Sequence, residues 1–224
     1  MELESLFTNA KWKIIQYLAK EKLSPIQLAQ KTKTSIANIS QQLALLDAFG
    51  FVKKEKAENK NKKGKPKRLF YLANDFAYIV YAKNNYANKK LLKPDSMQQI
   101  LLNILFLDKK EDQYYITKFL WKNEEILLSK TDAIFFLKSD KDLELTVITD
   151  NENNLKEIRT QLSNQTIENS ENKKKKIVVW SHNMQEIEDG LKKAESYFNR
   201  ITDNLYSIYD PKKLLTKIEV LRNE

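Results

Sequence analysis

The sequence lacks cysteine altogether and contains a single histidine, His182. Without cysteine the chain can form neither a disulfide nor a thiolate metal site. One histidine also excludes a metal site built from several histidines within one subunit, and no nucleophile motif accompanies His182. We therefore interpret His182 as a structural residue and expect a protein that is not an enzyme and binds no cofactor or metal.

Long apolar runs are also missing. No segment reaches the roughly 18 uninterrupted apolar residues of a membrane-spanning helix. The N-terminal sequence MELESLFTNAKWK has no apolar signal-peptide core after a basic start. From these two absences we expect a soluble, cytoplasmic protein with no membrane partner.

Arginine is scarce, with four in the chain, so lysine supplies most of the positive charge. That charge is unevenly distributed: residues 1–93 hold 19 Lys and Arg against 7 Asp and Glu, a net +12. Residues 94–224 hold 20 against 23, a net −3. AT-rich coding would raise lysine in both halves alike. The asymmetry therefore predicts two domains, a basic one over 1–93 that meets nucleic acid and another over 94–224 with a different task.

The spacing of apolar residues predicts three helices in the first domain. They are expected over residues 9–21, from Ser24-Pro25 onward, and over 35–48, where Thr34 or Ser35 is the cap. A strand from Phe51, a loop over 58–66, a return strand over 67–72 and an aromatic-rich helix over 74–90 should follow. Three helices and then a strand–loop–strand unit make a winged helix-turn-helix, whose recognition helix lies in the major groove of DNA.

The third predicted helix has two faces of different chemistry. Its apolar stripe, expected to point inward, is Ile36, Ile39, Leu43 and Leu46. The other face is rich in amides, which can form two hydrogen bonds with adenine and so discriminate between bases. The candidate DNA-binding residues of this helix and of the turn before it are Lys33, Thr34, Ser35, Asn38, Gln41 and Gln42.

The loop between the two strands is strongly basic. Residues 53–68 hold nine Lys and Arg against Glu55 and Glu58. A lysine run by itself is more often a solvated loop. Between two strands and after a helix-turn-helix, it favours contact with backbone phosphate or the minor groove. The candidate residues of this wing are Lys60, Lys62, Lys63, Lys65, Lys67 and Arg68.

Residues 9–72 resemble archaeal winged helix-turn-helix regulators of the ArsR/MarR-like group. The phrase SIANISQQLALLDAFGFVKKEK is similar to that group's recognition helix and wing entry, and GKPKRLFYL is similar to its second wing strand. The resemblance implies a homodimer whose contacts involve flanking helices, here residues 74–90 and 1–8. Metal sensing in that group uses cysteine or histidine clusters. This chain has no cysteine and one histidine, so the metal-sensing role is not carried over.

The second half predicts an α/β domain. After residue 132 the expected order is strand, strand, helix, strand, helix, strand, helix, and SDKDLELTVIT (139–149) resembles a strand of the nucleotidyltransferase fold. Those enzymes need a Gly-Ser turn and three carboxylates, whereas this chain has Lys138-Ser139 and offers only Asp142 and Glu144. Valines 178 and 179 occupy the place of the third acid. An inactive descendant of that fold, or a generic α/β domain with surface acids, therefore accounts for the pattern.

Together these patterns predict an α+β protein, a winged helix-turn-helix followed by helices and a C-terminal α/β module. We expect a dimeric, sequence-specific transcriptional regulator of double-stranded DNA, with helix 35–48 in the major groove and wing 53–68 on the backbone or minor groove. Residues 94–224 would serve dimerisation, a small-molecule effector or a protein effector. The alternatives are a nucleotidyltransferase-like enzyme with a DNA-binding head and a winged-helix module that binds only protein.

Overall fold

The computed structural model describes residues 8–56, 68–137 and 142–223. The chain divides into two compact units, Met1–Pro94 and Asp95–Glu224. The sequence-based division between residues 93 and 94 lies one residue before this boundary. Both units combine helices with strands, which confirms the α+β class. None of the described helices is long and apolar enough to cross a membrane.

The first unit begins with three helices and a two-stranded antiparallel sheet, here called the first hairpin. Local chemistry explains the helix starts: Ser24 and Gln27 form a reciprocal capping box with Pro25 in the first turn, and the Ser35 side chain accepts the Asn38 N–H. Gly50, at φ 75°, ends the third helix. The elements are α1 (Asn9–Leu18), α2 (Pro25–Thr32), α3 (Ile36–Ala48), β1 (Val52–Lys56) and β2 (Arg68–Leu72).

The core of this unit is formed by apolar residues of all three helices and of the first hairpin, among them Ile14, Leu28 and Phe70. Three members of the predicted stripe on α3 are buried: Ile39, Leu43 and Leu46. The fourth prediction was wrong, because Ile36 is 50% exposed. Ile36 is the first residue of the helix, whereas the three buried members lie three or more residues farther along it.

The helix predicted over 74–90 was also wrong. The segment forms a second hairpin of β3 (Ala77–Lys83) and β4 (Tyr86–Leu92), antiparallel, with Lys83 opposite Tyr86. Tyrosine and β-branched residues in AYIVYAK favour a strand. The two-residue loop includes Asn85 at φ 63°, a conformation that asparagine tolerates. The flanking dimerisation helix expected here is therefore not formed, and residues 1–7 of the other expected flank lie outside the described residues.

The second unit is built on a five-stranded sheet in the order β7-β8-β6-β5-β9. Strands β6 and β8 are parallel, and the other neighbours are antiparallel. The strands are β5 (Ala133–Leu137), β6 (Leu143–Ile148), β7 (Asn164–Glu168), β8 (Lys174–His182) and β9 (Leu205–Tyr209). The helices are α4 (Ser96–Leu105), α5 (Lys110–Lys122), α6 (Glu124–Lys130), α7 (Glu152–Leu162), α8 (Met184–Lys192), α9 (Ser196–Ile201) and α10 (Leu214–Asn223).

Helices cover both faces of this sheet, which explains why every residue of β5 and β6 is buried. Ile134 and Phe136 face a core shared with α4, α5 and α7, whereas Phe135 faces α8 and α10. Two predictions for this unit were wrong. The loop expected over 163–176 contains β7, which buries Ile167, and the helix expected over 184–201 is broken at Ala194, at φ 52°.

Candidate nucleic-acid interface

The outward face of α3 carries short side chains at all but one position. Ala37, Ser40, Gln41, Ala44 and Ala48 are all exposed and recur every three or four residues, opposite the buried stripe. Of these, only Gln41 was predicted from the sequence. The spacing relative to Leu43 and Leu46 was a signal that could have found the others. Small side chains here allow the helix backbone to come close to another molecule.

A groove of about 520 Å³ runs beside this face, between α3 and the first hairpin. We call it the helix–hairpin groove. Its residues are Pro25, Ser40, Ala44, Asp47, Ala48, Lys54, Arg68 and Phe70. The acid in the groove is paired, because Lys54 Nζ lies 2.7 Å from Asp47 Oδ2. The exposed Arg68 adds positive charge at the start of β2, so the groove carries a net positive charge, which suits an anionic partner.

The structure separates the three predicted amides. Gln41 is exposed, but Asn38 and Gln42 are half-buried in a pocket that also includes Asn9 and Lys13 of α1. Asn38 Oδ1 accepts a hydrogen bond from Gln42 Nε2 at 3.1 Å. Within the described part of the chain, the buried Gln42 Oε1 has no hydrogen-bond partner. Asn38 and Gln42 therefore bind each other, and Gln41 is the amide that is open to a ligand.

The turn before α3 holds the three other candidates of this helix. Lys33 ends α2 in a left-handed conformation at φ 55°, and its side chain is exposed. The Thr34 hydroxyl lies 2.9 Å from that of Thr32. Ser35 is exposed, and its Oγ accepts the Asn38 N–H at 3.2 Å. These residues mark the N-terminal end of α3, where backbone N–H groups and the helix dipole favour phosphate.

The predicted wing is described only at its ends. Lys60, Lys62, Lys63, Lys65 and Lys67 lie outside the described residues, whereas Arg68 pairs with Lys56 across the hairpin. On β1, Glu55 forms an ion pair with Lys22 at 2.8 Å. The exposed side chains of Lys53 and Lys56 therefore stand on a strand whose acid is already neutralised.

Comparison with models of protein families and with curated proteins finds no match to this chain. The candidate interface is therefore defined by its own residues. It consists of the outward face of α3, the helix–hairpin groove and the basic ends of the first hairpin.

The carboxylates considered for a metal site in the second unit do not form one. Glu144 is buried, and its Oε2 accepts from Trp180 Nε1 at 2.5 Å and from Arg200 Nη1 at 2.9 Å. Val178 lies opposite Glu144 on the parallel neighbour strand. Among the described residues no three acids or histidines gather around a metal position. Lys138 and Ser139 lie outside the described residues, within the segment 138–141.

His182 ties β8 to the two helices that follow it. Its Nδ1 lies 2.8 Å from Glu186 Oε2, and its Nε2 lies 2.7 Å from the Tyr197 hydroxyl. Burial lowers the pKa of His182 below its ordinary value of 6.5, although Glu186 opposes this shift. Arg159 binds both Glu186 and the Ser181 carbonyl. Both ring nitrogens are thus engaged in bonds that join structural elements.

A cavity of about 320 Å³ lies at the end of α4 in the second unit. Phe106, Phe136 and Tyr206 supply apolar walls, and Asp108 and Asp112 supply charge. Phe106 follows α4 and lines this cavity, whereas Leu105 is exposed and Leu101 and Leu102 are half-buried. The volume is at the lower end of the range for small-molecule sites.

Proposed function

We propose that this protein is a sequence-specific, double-stranded DNA-binding regulator of transcription that acts as a homodimer. In this proposal the three helices and the first hairpin are a winged helix-turn-helix, in keeping with the resemblance of residues 9–72 to archaeal ArsR/MarR-like regulators. The observation that carries the proposal is the outward face of α3. It is exposed and short-chained, and it borders a groove whose acid is paired and whose edge carries Arg68.

The proposed binding mode assigns different tasks to different residues. The α3 helix enters the major groove, where the small side chains of Ala37, Ser40 and Ala44 let it approach the base edges. The Gln41 amide reads a base, with adenine as the partner that matches its donor and acceptor. Arg68 and the wing lysines bind phosphate, which positions the helix without reading sequence.

The net charge of +12 over residues 1–93 supports this assignment, because non-specific attraction to DNA is mainly electrostatic. The second unit supplies a place for regulation, the cavity beside Phe106 at the end of α4. We propose it as the site of a small-molecule effector. Nucleotidyl transfer is not proposed, because Glu144 is held by Trp180 and Arg200 rather than free to bind a metal.

The proposal is tested by selecting duplexes from a random pool with the full chain at two salt concentrations, followed by sequencing. A dimer with twofold symmetry should enrich a palindrome whose half-sites are roughly 34 Å apart, and enrichment should persist at the higher salt. Gln41→Ala, put through the same selection as the wild-type chain, should accept more bases at one position in each half-site. Binding that enriches no motif and is lost at the higher salt would mean that lysines attract DNA phosphate without reading its sequence. Absence of binding at low salt would leave a protein-interaction module instead.

A further inference from the structure

The second hairpin presents an exposed surface. Every residue from Ile79 to Leu91 is exposed, and among the described residues β3 and β4 pair only with each other. A two-stranded hairpin alone is at best marginally stable in water. No third strand of the described part of the chain pairs with either outer edge of this hairpin, so a further strand can add to it.

The two edges differ in charge and in hydrophobicity. Strand β3 contains one charged residue, Lys83, and exposes three successive apolar side chains: Ile79, 41% exposed, Val80, 67%, and Tyr81, 54%. Strand β4 carries Lys89 and Lys90 in its middle. Lysines on an edge strand discourage pairing with another strand, whereas an open apolar edge invites it. The β3 edge is therefore the one suited to a partner.

We propose that β3 pairs with the β3 strand of a second copy of this chain, antiparallel across a twofold axis. The product is a four-stranded sheet with the two β3 strands at its centre. With the axis at Val80, the middle residue of Ala77–Lys83, Val80 lies opposite its own copy, Ile79 opposite Tyr81 and Lys83 opposite Ala77. No like charges meet, and apolar and aromatic side chains form the cross-strand pairs that stabilise sheets.

The other pairings are less favourable. Joining two β4 strands about their middle residue places Lys89 opposite Lys89 of the second copy, and like charges directly opposite are destabilising. Joining β3 of one copy to β4 of another leaves one β3 and one β4 edge open, so assembly would continue into filaments. Pairing of two β3 strands is the arrangement that closes at a dimer and removes both apolar edges from solvent.

This inference rests on the proposed function, because it assigns the contact of the proposed dimer to a particular strand. A second copy is favoured over nucleic acid as the partner of β3, since the strand has little charge and exposes apolar side chains. The twofold axis that it requires is also the symmetry of a palindromic operator.

The first test measures the mass of the full chain by sedimentation for wild type, Val80→Lys and Ala87→Lys. Val80→Lys places two positive charges opposite each other at the axis, whereas Ala87→Lys adds the same charge to an exposed position of β4. Wild type and Ala87→Lys should be dimers at the same protein concentration. The concentration at which half of the Val80→Lys chains are dimeric should be at least tenfold higher than for wild type. Circular dichroism confirms that all three are folded. A Val80→Lys protein that dimerises like wild type would place the interface elsewhere.

A second test uses the absence of cysteine, which makes any introduced thiol the only one in the chain. Residues directly opposite each other in antiparallel strands have Cβ atoms roughly 4.5–5.5 Å apart, close enough for a disulfide after small adjustments. Under mild oxidation, Val80→Cys should run as a covalent dimer on a non-reducing gel, and Ala87→Cys should remain a single chain. Equal cross-linking of both variants, or none of either, would overturn the inference.

Binding to a single half-site duplex separates this inference from the proposed function. A dimer through β3 that binds no DNA would support the inference and end the proposed function. A wild-type monomer that still selects a DNA sequence would end the inference and leave DNA reading in place. If Val80→Lys keeps the wild-type mass but binds duplex more tightly, the hairpin contacts nucleic acid and the inference also fails.

Discussion

The positions of Gln41 and Asn38 on α3 lead to opposite expectations for two chemically similar substitutions. Gln41→Ala removes an exposed amide that no described residue binds, so its effect should fall on DNA recognition. Asn38→Ala removes a half-buried amide whose Oδ1 accepts from Gln42, so its effect should fall on stability. The sequence alone assigned both residues to the same face and the same task.

The structure sets the expected magnitudes. Loss of one two-bond contact to a base should cost about 1–3 kcal/mol of discrimination, or roughly 5- to 150-fold between the preferred and another base. A surface substitution such as Gln41→Ala should change stability by less than about 0.5 kcal/mol. Loss of the 3.1 Å bond between Asn38 and Gln42 should cost about 1 kcal/mol. For a unit of this size that lowers Tm by roughly 4–8 °C.

The assay pairs fluorescence anisotropy on matched and single-mismatch duplexes with scanning calorimetry of the same preparations. Gln41→Ala should flatten the preference at one base position and leave Tm near wild type. Asn38→Ala should lower Tm, with discrimination preserved at temperatures where the protein is folded. If Asn38→Ala abolished discrimination without changing Tm, the division between the two amides would be refuted.

The remaining predictions concern the wing, a packing contact and a buried histidine. Replacing four wing lysines by alanine should weaken binding to all duplexes alike and reduce the slope of log K against log salt by about 3.6, which salt titrations measure; the four are Lys60, Lys62, Lys63 and Lys65. Gly190→Ala should destabilise the second unit by about 1–3 kcal/mol in urea unfolding, because its new Cβ would lie 2.0 Å from Phe198 Cδ2; an unchanged midpoint would contradict this. Because the pKa of His182 is lowered from 6.5 by burial, the unfolded chain binds that proton more readily, so the free energy of unfolding should fall as pH drops below about 6.5. His182→Gln should flatten this part of the profile, and equal slopes in both proteins would count against the assignment.

The helix starts that were predicted from residues adjacent in the sequence are confirmed, because local chemistry decides where these helices begin. Ser24, Pro25 and Ser35 begin helices because their side chains or ring geometry satisfy the first turns, whatever surrounds them. Strands β5 and β6 were visible as short apolar runs, since a sheet covered on both faces buries every residue of these strands. The charge asymmetry between the halves was likewise a property of the chain alone.

The segment 74–90 shows where a local pattern is insufficient. Its apolar and aromatic residues fit a helical face as well as a strand, and the choice depends on cross-strand partners such as Lys83 and Tyr86. β-propensity reflects how side chains pack on a pleated surface, so it is realised only when the second strand is present.

By itself, the sequence determined the order of helices and strands in the first unit up to β2, the basic character of that half and the absence of thiolate chemistry. Each of these follows from residue identity and short-range spacing. Tertiary structure decided which amide of α3 is exposed, that Glu144 is bound by Arg200, and that β3 pairs with β4 alone among the described strands. These outcomes depend on which surfaces meet. The local spacing of apolar residues does not show which positions are covered by residues distant in the chain.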